Sequence, residues 1–282
     1  MGRALRETLK IIEEHKKTSP HYKDLMDMLE EIVILREEFR RNLNREAFSV
    51  DERLVAAKLA GELPLVDFTE DGIDLTEPKR YFLSLLQIAE RMNPGETREI
   101  VEDLNSGVLD FREMVRESFY PIYPEEEEVA AEDEEYEEDA FDLISFFVEE
   151  SLRPILEILA DKYGDLIKKS GWSEGYCPVC GKEPKIGEIR DDAGHRVLYC
   201  TQCGVEWDFT SIKCPFCGNE EQKTLAYFTV EGDERYRVEV CDDCKRYIKT
   251  VDFRDTKEKA DLEVEDIATI HLDMLANEEG YH

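Results

Sequence analysis

Apolar residues recur at spacings of three and four through the first 120 positions. Tyr22, Leu25, Leu29, Ile32, Phe39 and Leu43 form one such stripe, with Arg36 in the single interrupted place. That period predicts an amphipathic helix, and Ser19-Pro20 offers it a start. Further helical patterns lie near 50–60, 77–92, 96–104 and 108–120, punctuated by Gly61, Pro64, Gly72, Pro94 and Gly95. The stripes read as core, so this part predicts a helical bundle that needs no cofactor box. A longer helix is expected from about Phe141 to Ser170, with Pro154 as a candidate kink. Val264 to Asn277 reads as a last helix, with Ile267, Ile270 and Met274 on its apolar face.

Between these helices the period changes to two. Leu225 to Val230 is an apolar, β-prone run, and Arg235 to Val240 alternates charged and apolar residues as a half-buried strand does. Gly232 marks the turn between them. Tyr247 to Val251 predicts a third strand.

The same region holds all 8 cysteines, as four Cys-x-x-Cys pairs: Cys177/Cys180, Cys200/Cys203, Cys214/Cys217 and Cys241/Cys244. Disulfides are a poor reading where no secretion signal precedes them. Two such pairs separated by about 10–25 residues set four sulfurs around one tetrahedral ion. Cys177 to Gly181 and Cys214 to Gly218 both read Cys-Pro-x-Cys-Gly. Proline holds φ at about −65° at the start of the tight turn. Glycine after the second cysteine permits positive φ and turns N–H groups towards the sulfurs.

The region repeats itself. Arg196-Val197-Leu198-Tyr199-Cys200-Thr201-Gln202-Cys203 matches Arg237-Val238-Glu239-Val240-Cys241-Asp242-Asp243-Cys244 at an offset of 41, and the two Cys-Pro-x-Cys-Gly knuckles are offset by 37. The four extra residues of the second copy fall in the hairpin around Glu231-Gly232-Asp233. The repeat groups Cys177, Cys180, Cys200 and Cys203 at one site, and Cys214, Cys217, Cys241 and Cys244 at the other. Each copy reads as a small β-ribbon with a metal at one end. A ribbon with so little core needs the ion's binding energy, on the order of 10 kcal/mol, to fold. Sulfur-only tetrahedral sites suit zinc or a single iron. Iron would add redox activity. Widely separated pairs are less suited to a cubane cluster, and a thioredoxin-like motif is one pair beside a βαβ unit.

Charge narrows the partners. Among 282 residues, Lys+Arg 36 oppose Asp+Glu 68, a formal net charge of −32. Such acidity disfavours nucleic acid phosphates and anionic lipid, and permits a basic protein partner. Residues 171–255 are closer to balance, with 12 Lys or Arg against 17 Asp or Glu, and lack the basic stripe of a nucleic-acid-binding zinc ribbon. Eleven of the fifteen residues from Glu125 to Asp139 are acidic, which predicts a solvated loop at about 124–140. Neither a membrane-spanning stretch nor an apolar leader is evident, which places the chain in the cytoplasm. No phosphate-cradling glycine loop, Gly-x-Ser-x-Gly or His-Glu-x-x-His motif occurs. His195, His271, Asp266 and Asp273 read as surface or hydrogen-bonding groups, so no catalytic residue is assigned and the chain is read as a non-enzyme. Self-association is compatible with the sequence, which does not single out a partner-binding surface.

From Arg153 onward the chain resembles the formate dehydrogenase accessory protein family, FdhE. The resemblance rests on Leu152-Arg153-Pro154, Gly171-Trp172, the knuckle Cys177 to Gly181 and Arg196 to Cys200. It continues through Glu206-Trp207, Cys214 to Gly218 and Cys241 to Lys249, then Asp266 to Thr269, Leu272-Asp273 and Gly280-Tyr281. It covers roughly the C-terminal 130 residues with all four pairs in register. The resemblance implies rubredoxin-like ribbons associated with iron. It also implies a cytoplasmic maturation factor that binds the catalytic subunit of a respiratory formate dehydrogenase before export. The acidic run looks like an addition to the family's pattern. The expected fold is α+β: a helical domain (1–170), a first four-cysteine ribbon (171–211), a second (212–255) and a C-terminal helix (256–282).

Overall fold

The computed structural model describes residues 3–44, 50–68, 73–91, 94–119, 143–230, 233–254 and 260–282. The acidic run Glu125–Asp139 and the turn at Glu231-Gly232 lie outside the described residues. The chain groups into two compact units, one of residues 1–66 with 155–282 and one of residues 67–154.

In the first unit, α1 (Arg3–Thr18) and α2 (Lys23–Asn42) are joined by a 3-10 turn at Pro20–Tyr22. Proline at the start of that turn is preset for helical φ. The apolar stripe of α2 buries Met26, Leu29 and Val33 against Ile12 of α1. Arg36 is buried too, and its guanidinium donates to both carboxylate oxygens of Glu263, at 2.7 and 3.0 Å. The interruption in the stripe is therefore a bidentate ion pair to a distant element. Helix α3 (Glu52–Ala60) is capped by Asp51, whose carboxylate accepts from the Arg53 N–H at 2.7 Å. That bond satisfies one of the orphan donors of the first turn.

The cysteine region folds as one six-stranded sheet. Strands β1 (Ile186–Arg190), β2 (His195–Tyr199) and β3 (Glu206–Phe209) come from the first copy. Strands β4 (Leu225–Val230), β5 (Asp233–Cys241) and β6 (Tyr247–Val251) come from the second. Each set pairs antiparallel, and the two join through β1 and β6, which run parallel with Ile186 opposite Lys249. The strand order is β3-β2-β1-β6-β5-β4. The period-two pattern read from β5 holds, with Val238 and Val240 buried.

The last helical segment is two helices, α8 (Leu262–Ala268) and α9 (Ile270–Glu278), parted at Thr269. The Thr269 hydroxyl donates back to the Glu265 carbonyl at 2.6 Å, an i−4 bond of the kind that bends helices. The break changes which face is apolar. Val264 and Ala268 pack on α1 and α2, while Leu272 and Ala276 pack on Val238 and Val240 of the sheet. Met274, expected on the buried face, is 63% exposed.

The second unit holds α4 (Thr76–Ala89), α5 (Pro94–Ser106) and α6 (Phe111–Phe119). Its ring contacts include Phe82 with Phe111 at 5.3 Å and Phe68 with Phe119 at 4.2 Å. The buried Tyr81 hydroxyl donates to Glu150 at 3.0 Å. Helix α7 (Leu143–Ser170) contributes to both units and continues through Pro154. Among the described residues, no helix is long and apolar enough to cross a membrane.

Candidate metal centres

All four cysteine pairs are built by one local device. The N–H of the leading cysteine donates to the carbonyl five residues on, and its own carbonyl accepts from the N–H four residues on. At Cys177 the partners are Lys182 at 2.9 Å and Gly181 at 3.0 Å; at Cys200 they are Val205 at 2.9 Å and Gly204 at 2.8 Å. At Cys214 they are Asn219 at 2.8 Å and Gly218 at 3.0 Å; at Cys241 they are Arg246 at 2.9 Å and Lys245 at 2.8 Å. The residue four on must adopt positive φ. Glycine does so in three knuckles, and Lys245 does so in the fourth, at φ 58°. A residue with a Cβ is strained there. Lys245 is anchored by Asp242 at 2.8 Å and lies over the Tyr281 ring at 5.4 Å.

These knuckles gather the sulfurs of Cys177, Cys180, Cys200 and Cys203 into one group, and those of Cys214, Cys217, Cys241 and Cys244 into another. Within each group the sulfurs lie within 4.8 Å of one another. The short pairs are Cys177–Cys203 at 3.3 Å, Cys180–Cys200 at 3.5 Å, and Cys214–Cys244 and Cys217–Cys241 at 3.7 Å. A tetrahedral ion bonded to sulfur at about 2.3 Å sets its ligands about 3.8 Å apart. Each group could hold one metal ion.

The electrostatics fit the same conclusion. In the first group burial pushes the Cys180 and Cys203 thiols well up. Burial opposes ionisation of Cys200 as well, but the surrounding Cys177, Cys180 and Cys203 sulfurs and the Cys203 N–H hold it well below the ordinary thiol range. In the second group, burial raises Cys214 and Cys244. Cys241 drops to about 7, because N–H groups of Cys244 and Asp243 and the Asn219 amide outweigh its burial. Four thiols this close ionise together only around a cation, since each thiolate otherwise repels the next. A dication among the sulfurs removes that conflict.

The two groups differ in cover. All four cysteines of the first are buried, whereas in the second Cys217 is exposed and Cys244 half-buried. The first knuckle is roofed by the segment after α3. There, the N–H groups of Leu65 and Val66 donate to the carbonyls of Pro178 and Val179, at 3.0 and 2.9 Å. The Tyr176 hydroxyl donates to the Glu62 carbonyl at 2.7 Å. Trp172 and Trp207 are buried, and their indole N–H groups donate to the carbonyls of Tyr176 and Glu174, just before the knuckle, each at 2.9 Å. Nothing in the spacing of the cysteines announces this roof.

The second knuckle is braced differently. The Arg246 guanidinium stacks 3.9 Å from the Phe216 ring centre and binds both oxygens of Glu183, at 2.8 and 2.7 Å. Glu183 follows the first knuckle, so this pair ties the two centres together. Gly175 adds a backbone contact, since a Cβ there would stand 1.7 Å from the Pro215 carbonyl oxygen.

The other polar residues read from the sequence lie elsewhere. His195 starts β2 on the surface, 3.5 Å from Asp208. His271 faces the Tyr22 ring at 6.2 Å. Asp266 and Asp273 flank the buried ammonium of Lys249, whose Nζ lies 2.7 Å from a carboxylate oxygen of each. The alternation along β6 does not single out Lys249, which sits mid-strand.

Residues 176–210 match the family described as FdhE, central domain, and residues 212–282 match FdhE, C-terminal domain. A protein FdhE homolog from Aquifex aeolicus is 29% identical over 270 residues, covering 94% of this chain and 88% of the relative. One from Pseudomonas aeruginosa is 37% identical over 118 residues, covering 39% of this chain and 37% of the relative. Protein FdhE from Escherichia coli is 32% identical over 114 residues, covering 39% of this chain and 36% of the relative. The crystal structure of the FdhE protein from Pseudomonas aeruginosa superposes with a TM-score of 0.68 at 19% identity, covering 99% of this chain and 92% of that one.

Proposed function

We propose, from the premise that this chain belongs to the FdhE family, that it is a cytoplasmic accessory factor that binds the catalytic subunit of a formate dehydrogenase during assembly, before export. The observation that carries the reading is the match of both four-cysteine modules, in order, to the family's central and C-terminal domains. The cysteines then act as ligands: Cys177, Cys180, Cys200 and Cys203 for one ion, and Cys214, Cys217, Cys241 and Cys244 for a second. A bound zinc or iron supplies folding energy in each half of the sheet, and iron adds one-electron chemistry. The chain's own residues do the rest. The knuckle N–H groups stabilise thiolate charge, and the Arg246–Glu183 pair fixes one centre against the other.

Charge supports a protein partner. A chain of net charge −32 attracts basic segments and repels polyanions. Binding of the catalytic subunit is expected to weaken as salt rises, because screening shortens the reach of exposed charge. Co-purification from anaerobic cells at about 50 mM and about 0.5 M salt checks this. Retention at low salt with marked loss at high salt is the expected result. Absence of the subunit at low salt overturns the partnership, and equal retention at both overturns the steering.

A redox reading of the second centre draws on one observation, the exposure of Cys217. An oxidation titration of iron-loaded protein tests it through the ferric thiolate absorption bands, and a spectrum unchanged by oxidant removes it.

A further inference from the structure

We infer that the two cysteine groups are divided in role: Cys177, Cys180, Cys200 and Cys203 form a permanent staple, and Cys214, Cys217, Cys241 and Cys244 form an exchangeable site that opens at Cys217. The inference rests on the reading of both groups as metal sites and goes beyond it.

Three independent observations carry it. The first is cover. Every cysteine of the first group is buried, and the 62–66 segment is hydrogen-bonded across its knuckle through Leu65 and Val66. Reaching those sulfurs requires the roof to separate from the knuckle. In the second group Cys217 is exposed and Cys244 half-buried, so two of its four cysteines are open to solvent with the fold intact.

The second is space. Cys214 and Cys241 line a pocket of about 220 Å3, together with Lys213, Phe216 and Arg246. The pocket gives a chelator or soft donor a place to lie against the cysteines that solvent does not reach directly.

The third is charge. Four thiolates around a divalent ion carry a net −2, which repels an incoming anionic donor. At the second group Arg246 lies over Phe216, and Lys213 lies at 6.0 Å over the Phe209 ring with no carboxylate partner among the described residues. Arg196, buried at the pocket wall, adds a third cation, paired with Glu239 at 2.8 Å. Arg246 is held by Glu183 and Arg196 by Glu239, so Lys213 is the cation left to draw an anion towards the open centre. Local opening at an exposed site costs less free energy than opening a buried one, so exchange there is faster.

The test uses the full chain loaded with zinc and mixed with excess pyridylazoresorcinol, a chromophoric chelator. Two equivalents are expected per chain, released in two phases of one equivalent each, with rates separated by about tenfold or more. Cys217→Ser should remove the fast equivalent and leave the slow phase unchanged in rate. Cys217→Ser costs the second half of the sheet its ion, but that half stays paired to β1 through β6 and packed on Leu272 and Ala276, so the variant is expected to keep its fold, and its far-UV spectrum checks that. A single release rate for both ions overturns the division, as does a Cys217→Ser chain that loses the slow phase and keeps the fast one. A folded native chain that holds fewer than two ions overturns the metal reading itself.

Discussion

Replacing Cys180 by serine is expected to unfold the sheet. Cys180 is 2% exposed, and its sulfur lies 3.5 Å from that of Cys200 in the first group. Serine is a poor ligand for a soft-accepting ion, and its hydroxyl would be buried without a partner, a cost of about 1–3 kcal/mol on its own. The larger loss is the ion. Structural zinc sites contribute about 10–16 kcal/mol, as much as or more than the 5–15 kcal/mol that separates a typical folded domain from its unfolded state. The first knuckle also anchors the 62–66 segment, and Glu174 and Tyr176 just before it hold the Trp207 and Trp172 indoles. Losing it should therefore release the roof along with the strands. Thermal melting followed by circular dichroism should show no cooperative transition for the sheet in Cys180→Ser, whereas Cys217→Ser should retain one. A Cys180→Ser melting midpoint within a few degrees of the native protein would remove the first centre as a staple.

The next largest effect is expected at Lys249. Its side chain is 4% exposed and stands between Asp266 and Asp273, with Nζ 2.7 Å from each. Nζ also donates to the Asp266 backbone carbonyl at 2.7 Å, and Tyr247 donates to the other oxygen of Asp273 at 2.9 Å. Burial works against the ammonium, but the two carboxylates prevail and raise its pKa; burial in turn raises that of Asp273. This cluster pins α8 and α9 to β6, and through them the sheet to the α1–α2 layer. Lys249→Met fits the space but strands two carboxylates, which costs about 3–5 kcal/mol for a broken buried pair. Adding Asp273→Asn removes one of the stranded charges and should recover part of that loss. Urea unfolding of the single and double variants checks both statements. A single variant within about 1 kcal/mol of the native protein would show that the cluster is solvated and of little weight.

What the sequence discloses is whatever has a local cause. Each knuckle is a closed turn of about six residues, so its paired cysteines, joined by a proline in two knuckles and a glycine in three, announce it directly. The repeat at offsets of 41 and 37 anticipates how the sulfurs group, because both copies use the same turn. The period of two marks β5, and the period of three to four marks α2, since one face of each is buried. The undisclosed features depend on partners far along the chain. Arg36 looks like a flaw in an apolar stripe until Glu263 is placed beside it. The Leu65 and Val66 bonds to the first knuckle, and the parallel pairing of β1 with β6, have no local signature. The strand expected at Tyr247 to Val251 says nothing of a buried Lys249, because Asp266 and Asp273 come from helices further along the chain. Met274 departs from its expected place because the break at Thr269 turns the last helix, and a helical wheel drawn across that break assigns the wrong face.

The two metal centres are tested most directly by the metal content of protein purified without oxygen and without added metal. Two ions per chain, bound by sulfur alone at about 2.3 Å in X-ray absorption, is the predicted result. A folded, monodisperse chain with no bound ion, or one whose ions are held by nitrogen and oxygen, would contradict it.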